Sequence, residues 1–566
     1  MANDTGRFAL IRQLLVDGIT CMFGNPGTSE QNLLDALCDD EFKNFKYYLA
    51  LHEGTAVGMA DSYARAQQCV AVVQLHSYAG LANGLGMMKY AQRGYTPLVI
   101  IAGEAGLKYD ALDGQMAADL VNMARPFVKS DYNGACAWRV LDSRSLLRLT
   151  RRAIKTALTP PFGPVFLALP LDILDEKNTE TVVPSPRVNS KVTPEDNTIA
   201  EAARLLAESR QPLILIGDGI AASGAQEELE RVAELLGAAV WGANCSEVNI
   251  RASHPLFKEY GGHMFGEDSK RYTSAADAVL ICGTTVMPEV FPALEDIFAA
   301  NAAVIHFDLN TAEIGKNFPV TIGALGDPKR TLSLLALKLS REMNDEQRAS
   351  AKYRMQQQKQ AKDRKQEEQL AADAQLLNQN PLHASQFMEE LGKQLPEGTL
   401  IFDEALTHSP ELLRYLPQDT PGTYFQTRAG MLGTGLPGAL GLKVARPDKV
   451  VFGFSGDGGS MQTIQALSTA ARYGIGAKFV VCNNHSYRIL KYNLQAYRRG
   501  LNLPQDQPFP ESFDLDRPAL RFDKLAEGQG VDAVRVEKPE QIRPAIERAL
   551  MDDRPFLIDL VVSNRL

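Results

Sequence analysis

The chain has 566 residues, of which 45% are hydrophobic and 22% are charged, and its formal net charge is -9. This length predicts three or four domains, and the acidic balance argues against broad binding to nucleic acid or to anionic membranes. No apolar run approaches the roughly 20 residues of a membrane span. Because the N-terminus lacks the features of a signal peptide and the seven cysteines are dispersed, we expect a cytoplasmic protein.

Residues 1–180 alternate apolar runs with helical patterns, which predicts a parallel α/β domain. Its candidate strands are 20–23, 46–50, 69–75, 97–102 and 164–168, and we expect a loop rich in Gly and Ala after the third of them. A polar, Pro-rich stretch at about 182–194 is typical of a linker.

Residues 195–340 form a second predicted α/β domain, of Rossmann-like type, with strands at 212–216, 239–241, 278–282, 303–308 and 320–322. The first of these strands is followed by Gly217-Asp218-Gly219, which we interpret as a glycine turn without a catalytic role. A charged, Gln-rich segment at 341–377 favours a solvated connecting helix over a partner-binding segment.

The third predicted α/β domain, 378–566, carries the most informative motif of the chain. An apolar strand at 450–455 leads into Gly456-Asp457-Gly458, then an amphipathic helix at about 461–473, a second strand at 478–482 and the pair Asn483-Asn484. The carboxyl ends of parallel strands share one edge of a sheet, where α/β folds bind ligands. Asp457, Asn484 and the backbone carbonyl of Ser486 therefore form a candidate site for Mg²⁺, which prefers oxygen ligands.

The glycines of this motif let the backbone approach a diphosphate closely. The spacing of strand, turn, helix, strand and Asn pair resembles the signature of thiamine diphosphate (ThDP) enzymes. The alternative to a cofactor-binding motif is a purely structural one, in which Gly456-Asp457-Gly458 is a tight turn and Asn483-Asn484 an ordinary loop. The residues assigned to diphosphate binding by the motif are Gly456, Asp457, Gly458, Gly459 and Asn484.

The resemblance extends over nearly the whole chain, to the pyruvate oxidase and decarboxylase group of ThDP enzymes, and within it to benzoylformate decarboxylase and then acetolactate synthase. It rests on Phe23-Gly24-Asn25-Pro26-Gly27, Leu51-His52-Glu53, Leu75-His76-Ser77 and Gly433-Thr434-Gly435-Leu436-Pro437. It implies three doubly wound parallel-sheet domains: an N-terminal pyrimidine-binding domain, a central Rossmann-like domain and a C-terminal diphosphate-binding domain.

In the N-terminal domain the resemblance implies three catalytic residues. Glu53 would bond the cofactor's pyrimidine ring, although a Glu at a helix start can also serve the helix dipole alone. His76 would relay protons to the substrate and the intermediate, unless it is a structural histidine at a strand end. Thr28 stands where relatives carry a Ser that bonds the substrate carboxylate, but Thr28 with Gln31 also fits a capping box.

Further residues are assigned by the same resemblance to the cofactor and the substrate pocket. Gly430 belongs to the segment whose backbone holds the pyrimidine, and Leu432 would be the apolar wedge that bends the cofactor. Thr407 and His408 are candidates for bonds to the diphosphate. The residues expected to line or shape the substrate pocket are Asn25, Gln115, Ile489 and Leu490.

Two places depart from the family pattern. Met287-Pro288-Glu289-Val290 aligns with a second active-site histidine of benzoylformate decarboxylases, so that proton-transfer group is missing or replaced. A long polar insertion at about 497–517 follows Arg488 and Lys491. These two cations could attract a larger anionic substrate, or they could belong to a solvated helix end.

The function implied is ThDP- and Mg²⁺-dependent, non-oxidative decarboxylation of a small-molecule 2-oxo acid to an aldehyde. The alternative is an acetolactate synthase-like carboligase, which joins the decarboxylated fragment to a second carbonyl compound. A non-catalytic ThDP-binding scaffold and a CoA-thioester lyase are further alternatives with less support. No distinct signature for FAD is present. The family's active site is shared between subunits, so the resemblance implies a homodimer at least, and commonly a homotetramer.

Overall fold

The computed structural model describes residues 4–261, 264–286, 289–377 and 379–566. They form three six-stranded sheets built from parallel strand pairs, together with one short hairpin, and this confirms the predicted fold class. The first and third sheets belong to one compact unit and the second sheet to another. None of the helices in these ranges is both long and apolar enough to cross a bilayer.

The N-terminal sheet has the strand order β2-β1-β3-β4-β8-β7. Its central strands are continuous apolar runs because helices cover both faces. The strands are β1 Cys21–Gly24, β2 Lys46–Leu49, β3 Ala71–His76, β4 Leu98–Glu104, β5 Ser130–Asp131, β6 Gly134–Ala135, β7 Ala137–Arg139 and β8 Val165–Pro170. The helices are α1 Gly6–Val16, α2 Gln31–Ala36, α3 Glu53–Gln67, α4 Ser77–Arg93, α5 Leu120–Ala124, α6 Leu146–Ala157 and α7 Leu171–Asp175.

The loop predicted after His76 is wrong, because this segment forms the 17-residue helix α4. Its glycines permit close packing rather than a loop conformation. A Cβ added at Gly84 would lie 3.2 Å from Leu75 Cδ1, and one at Gly80 would lie 3.3 Å from Glu53 Oε1. Small residues on this face therefore let α4 approach β3 and the start of α3.

The central sheet has the order β11-β10-β9-β12-β13-β14. Its strands are β9 Pro212–Gly217, β10 Ala239–Asn244, β11 Phe257–Tyr260, β12 Ala278–Cys282, β13 Ala303–Asp308 and β14 Ile322–Leu325. Its helices are α8 Asp196–Glu208, α9 Gly219–Ser223, α10 Gln226–Leu236, α11 Gly266–Thr273, α12 Pro328–Glu342 and α13 Asp345–Ala374. The last of these is the charged segment of the sequence, and it is a largely exposed helix of 30 residues.

Asp218 of the central domain is held by hydrogen bonds from neighbouring residues, as expected of a structural residue. Its carboxylate accepts hydrogen bonds from the backbone N–H of Ser246 at 2.8 Å and of Glu247 at 3.1 Å, and from the side-chain amide of Asn249 at 2.9 Å. The neighbouring Gly219 N–H donates to the carbonyl of Gly283 at 3.0 Å. The strand order changes direction between β9 and β12, and there the two glycine turns pack against each other.

The C-terminal sheet has the order β16-β15-β17-β18-β20-β19. Its strands are β15 Leu400–Glu404, β16 Tyr424–Gln426, β17 Val451–Gly456, β18 Lys478–Asn483, β19 Asp532–Val536 and β20 Phe556–Val561. Its helices are α14 Ala384–Gln394, α15 Ser409–Tyr415, α16 Gly435–Ala445, α17 Asp457–Gln462, α18 Ala466–Tyr473, α19 Arg488–Gly500, α20 Phe522–Gly528 and α21 Ile542–Leu550.

The single helix predicted at 461–473 is also wrong, because two helices, α17 and α18, occupy this segment. The chain leaves the helical conformation at Thr463, whose φ is -137°. The Thr463 hydroxyl donates to the carbonyl of Gly433 at 2.8 Å. This tertiary bond explains the break, since it holds Thr463 outside the helix. The first helix, α17, begins at Asp457 and ends at Gln462.

The N-terminal and C-terminal domains pack through α3 and α16. The helices approach so closely that a Cβ added at Gly441 of α16 would lie 2.1 Å from both the carbonyl oxygen of Met59 and Oγ of Ser62. Gly441 is therefore required by the distance between the two backbones.

We expect Gly441→Ala to lower the free energy of unfolding by about 1–3 kcal/mol, the usual cost of overpacking a close contact. The measurement is denaturant unfolding followed by circular dichroism. Gly528→Ala is the matched control, since its added Cβ meets nothing within 4 Å. Equal stability of the two variants would contradict the packing argument.

Candidate functional site

The first candidate cluster lies at the carboxyl edge of the N-terminal sheet, around Glu53. Glu53 is the first residue of α3, and its side chain is buried, with 5% of the residue exposed. One carboxylate oxygen accepts from the amide of Asn25 at 3.0 Å, and the other accepts from the amide of Asn83 at 2.9 Å. Asn25 was predicted to line the substrate pocket, and the structure places it against this carboxylate.

Asn83 is a residue that the sequence reasoning missed. It lies on α4 between Gly80 and Gly84, on the helix face that approaches Glu53 and β3. The signal for it was the spacing of the two glycines, which marks the face of α4 in close contact. A loop prediction for this segment does not indicate which of its side chains face Glu53, whereas the helix α4 does.

His76, the last residue of β3, is held by a second buried carboxylate. Its Nδ1 lies 3.0 Å from Oε2 of Glu30 and 3.0 Å from Oγ of Ser29. Glu30 is only 3% exposed, and it also accepts from the backbone N–H of Gly27 at 2.8 Å and of Gly103 at 3.0 Å. A carboxylate oxygen accepts hydrogen bonds, so this contact places a proton on Nδ1 of His76.

Glu30 was also missed, and its position explains the loop before α2. The alternative role of Thr28, as one half of a capping box with Gln31, is wrong: the exposed Thr28 makes no hydrogen bond to Gln31 in the described structure. The bond between Glu30 and the Gly27 N–H closes this turn. A Cβ at Gly27 would lie 2.2 Å from His76 Nδ1, so only glycine allows the imidazole to occupy this position.

Gln115 lies in an exposed, irregular segment after β4. The carbonyl of the next residue, Met116, accepts from Oγ of Ser77 at 3.1 Å. The structure thus brings this segment beside the start of α4 and beside His76. Val290 belongs to the central domain and is 53% exposed, and residues 287 and 288 lie outside the described residues.

The second candidate cluster lies at the carboxyl edge of the C-terminal sheet. Asp457 follows β17, and Asn484 follows β18. Oδ2 of Asp457 and Oδ1 of Asn484 accept from the same backbone N–H, that of Ser486, at 3.2 and 3.0 Å. The sequence motif therefore brings together the three residues that it assigned to a metal.

The Asp457 carboxyl is buried without a basic partner among the described ion pairs. Burial raises its pKa to about 6, and backbone N–H donors at Gly458 and Ser486 oppose that rise. The described residues contain no cluster of three His, Cys, Asp or Glu side chains that could hold a metal. The predicted site needs only one carboxylate, because an amide and a carbonyl complete its protein ligands.

His408 lies directly beside Asn484. The two side chains approach to 3.4 Å between Asn484 Nδ2 and His408 Nε2. His408 is 3% exposed, and burial together with the nearby Arg488 cation lowers its pKa to about 3. The imidazole is therefore neutral at physiological pH. Thr407 precedes it in the short 3-10 turn Leu406–His408.

The loop before α16 is held by Glu404, the last residue of β15. Its fully buried carboxylate accepts from the N–H of Gly433 at 2.5 Å, from the N–H of Gly435 at 2.6 Å and from the Ser455 hydroxyl at 3.0 Å. Burial raises its pKa to about 7. Between Gly430 and Gly433, which have φ values of +67° and +80°, the half-buried Leu432 is displayed on this loop.

The remaining predicted residues lie around the same edge. Ile489 and Leu490 lie in the first turn of α19, half-buried and 38% exposed respectively. The polar insertion predicted at 497–517 begins inside α19, which continues to Gly500. A Cβ at Gly458 would lie 2.3 Å from the Tyr487 ring, whereas one at Gly456 would meet nothing within 4 Å.

Comparisons with known proteins agree with this architecture. Three thiamine pyrophosphate enzyme family models match, namely the N-terminal TPP binding domain at 4–123, the central domain at 199–335 and the C-terminal TPP binding domain at 407–560. Benzoylformate decarboxylase of Pseudomonas aeruginosa is 30% identical over 551 residues, which cover 96% of each chain. The chain belongs to the ThDP-dependent enzyme family. Within that family it falls in the group of decarboxylases and acetolactate synthases.

Other similar proteins include both acetolactate synthases and decarboxylases. A probable acetolactate synthase large subunit of Methanococcus aeolicus is 28% identical, covering 99% of this chain and 92% of the relative. A ThDP-dependent 4-hydroxybenzoylformate decarboxylase of Rhodococcus jostii RHA1 matches in structure with a TM-score of 0.82 at 24% identity, over 99% of both chains. The structural match supports the fold. The sequence matches do not distinguish the decarboxylase activity from the synthase activity.

We expect Glu30→Gln to destabilise the protein, because donors face both carboxylate oxygens and an amide keeps only one acceptor oxygen. Each buried donor left unpaired costs about 1–3 kcal/mol. We also expect the His76 ring to lose its preference for the Nδ1-protonated tautomer, as read from 15N shifts in histidine-labelled protein. Glu41→Gln, at an exposed ion pair with Arg12, is the control. Unchanged His76 shifts would show that Glu30 does not set the tautomer.

Proposed function

We propose that this ThDP enzyme is a Mg²⁺-dependent, non-oxidative decarboxylase that converts a 2-oxo acid to an aldehyde. The observation that carries the proposal is the pairing of His76 with Glu30. With Nδ1 committed to the carboxylate, Nε2 is the remaining proton-transfer atom of a side chain that is 24% exposed. A positioned acid favours protonation of the carbon left by CO2 and release of an aldehyde.

The residues of the C-terminal cluster fit the diphosphate and a Mg²⁺ ion. A buried carboxylate without a basic partner is stabilised by a cation, and Asp457, Asn484 and the Ser486 carbonyl would hold it. The open space above Gly456 leaves room for the diphosphate beside Gly458 and Gly459. Thr407 and His408 would bond the phosphate oxygens.

When bound, ThDP supplies a carbon nucleophile and an electron sink for decarboxylation. Glu53, fixed by two amides, would share a proton with the pyrimidine ring. The backbone at Gly430 would hold that ring, and Leu432 would pack against the cofactor as an apolar wedge. Asn25 positions Glu53. Thr28, Gln115, Ile489 and Leu490 would surround the substrate, whose carboxylate would lie near the loop that carries Thr28.

We further propose that the working enzyme is at least a homodimer. No described hydrogen bond or ion pair joins the cluster at Glu53 to the cluster at Asp457, although one cofactor must touch both. Exposed apolar side chains flank each cluster, as expected of surfaces that a second copy covers. They are Leu51 and Tyr78 near Glu53 and His76, and Met461 and Leu490 near Asp457.

The second candidate function is carboligation, and its support is the similarity to acetolactate synthases. It uses the same cofactor cradle and differs in the fate of the decarboxylated fragment. The difference therefore lies in whether His76 protonates that fragment before a second carbonyl compound reaches it.

A panel of aromatic and aliphatic 2-oxo acids, incubated with the enzyme, ThDP and Mg²⁺, tests the proposal. We expect CO2 and the matching aldehyde in equal amounts; from pyruvate, where it is accepted, this means acetaldehyde. Products are identified by mass spectrometry and NMR. Acetolactate or acetoin as the main product would assign the carboligase, and no CO2 from any acid would contradict both.

The metal assignment predicts that Asp457→Ala abolishes Mg²⁺-dependent retention of ThDP. In the wild type, retention should fall at acidic pH, because protons compete with Mg²⁺ for the Asp457 carboxylate. Retention is measured as bound ThDP after gel filtration. The control is Asp506→Ala, at an exposed position. Wild-type retention by Asp457→Ala would remove this residue from the metal site.

A further inference from the structure

Arg488, the first residue of α19, is a cation without an anionic partner. No carboxylate lies within ion-pair distance of it among the described residues, and its Nε is buried without a hydrogen-bond partner. Its Nη1 lies 3.5 Å from both ring nitrogens of His408, and its Nη2 lies 3.1 Å from the hydroxyl of Tyr492. The guanidinium is therefore held beside a neutral imidazole.

Lys491, one turn further along α19, is a cation with a structural role and serves as a comparison for Arg488. Its ammonium group forms an ion pair of 2.7 Å with Asp514, which lies in the segment after the helix. The sequence suggested that Arg488 and Lys491 could attract an anionic ligand. Of these two cations, only Arg488 lacks a carboxylate partner among the described residues.

The surroundings of Arg488 consist mainly of donors. The Asn484 amide nitrogen lies 3.4 Å from Nε2 of His408, and Arg488 Nη1 lies 3.5 Å from both ring nitrogens of His408. A neutral imidazole offers only one acceptor nitrogen, so the donors here outnumber the acceptors. Neighbouring donors that lack an acceptor are unfavourable when buried and favourable around an anion, and the N-terminus of α19 adds a partial positive charge. On the other side of Asn484, the oxygens of Asp457 and Asn484 form the cation site.

Resting on the proposed function, we propose that Arg488 binds the terminal phosphate of ThDP, together with His408. A guanidinium offers a planar pair of donors that matches a phosphate group. The diphosphate would then be held from two directions, by the metal at Asp457 and by the guanidinium at Arg488.

The test is isothermal titration of the apo full-length protein, in the presence of Mg²⁺, with ThDP and separately with inorganic pyrophosphate. We expect Arg488→Gln to weaken the binding of both probes by about 10–100-fold, the range for charge-assisted hydrogen bonds. Arg488→Lys should fall between this variant and the wild type, because it keeps the charge and loses the fork. Arg499→Gln, which removes an exposed charge from the other end of α19, should bind as the wild type does.

Three outcomes separate the possibilities. Weakened binding of both probes by Arg488→Gln, with an unchanged melting temperature of the apoprotein, supports the inference. Unchanged binding of ThDP and pyrophosphate overturns it, and it is equally overturned if the variant changes only the KM for 2-oxo acids with a second carboxylate, because Arg488 would then serve the substrate. If the wild type itself does not bind ThDP, the proposed function fails, not this assignment alone.

Discussion

Buried carboxylates at the carboxyl edges of two parallel sheets determine how the candidate site is built. Glu30, Glu53, Glu404 and Asp457 are all at most 7% exposed, and none of them has a Lys or Arg partner among the described ion pairs. Amide, hydroxyl, imidazole and backbone N–H donors hold them. Such donors fix the position of a carboxyl group without pairing it with a Lys or Arg side chain, so a cofactor or a metal can still become its partner.

The same topology produces this arrangement twice. In order along the chain within each domain, the N-terminal and C-terminal sheets both have the strand order 2-1-3-4-6-5, with the hairpin excluded. Ligands bind where the order of an open sheet changes direction, and the four carboxylates lie around those two points. The central sheet has the order 3-2-1-4-5-6. At its change of direction, the turns at Gly219 and Gly283 are in backbone contact, and Asp218 is occupied by neighbouring donors.

The sequence predicted the three sheets because their central strands are buried apolar runs bounded by glycine turns. All twelve strands that were predicted overlap observed ones. It did not predict α4, because glycines such as Gly80 and Gly84 favour a loop in a local pattern, whereas in the structure they allow close contact with β3 and α3. The break at Thr463 depends on a bond to Gly433, thirty residues away, and no local pattern could show it.

The candidate site divides in the same way. Asp457, Asn484 and Ser486 were predictable because strand, turn and strand fix their separation along one sheet edge. Glu30 and Asn83 were not, since their partners His76 and Glu53 are 46 and 30 residues away. Long-range partners of this kind are visible only when the fold is known, and here they are the groups that orient the predicted catalytic side chains.

This division suggests where specificity within the family is encoded. The carboxylates and amides expected to hold the cofactor lie at or near strand ends and are fixed by buried hydrogen bonds, whereas several residues expected around the substrate are exposed. Thr28 is the first residue of the short 3-10 helix Thr28–Glu30, Gln115 belongs to an irregular segment, and Leu490 lies in the first turn of α19. Substitution at such positions has little effect on stability, so substrate choice can change while the carboxylates at the sheet edges stay in place. A chain with this arrangement can therefore be similar to decarboxylases and to acetolactate synthases at nearly equal identity. Its buried residues at the sheet edges are those expected to bind the shared cofactor, and its exposed loops are those expected to determine the substrate.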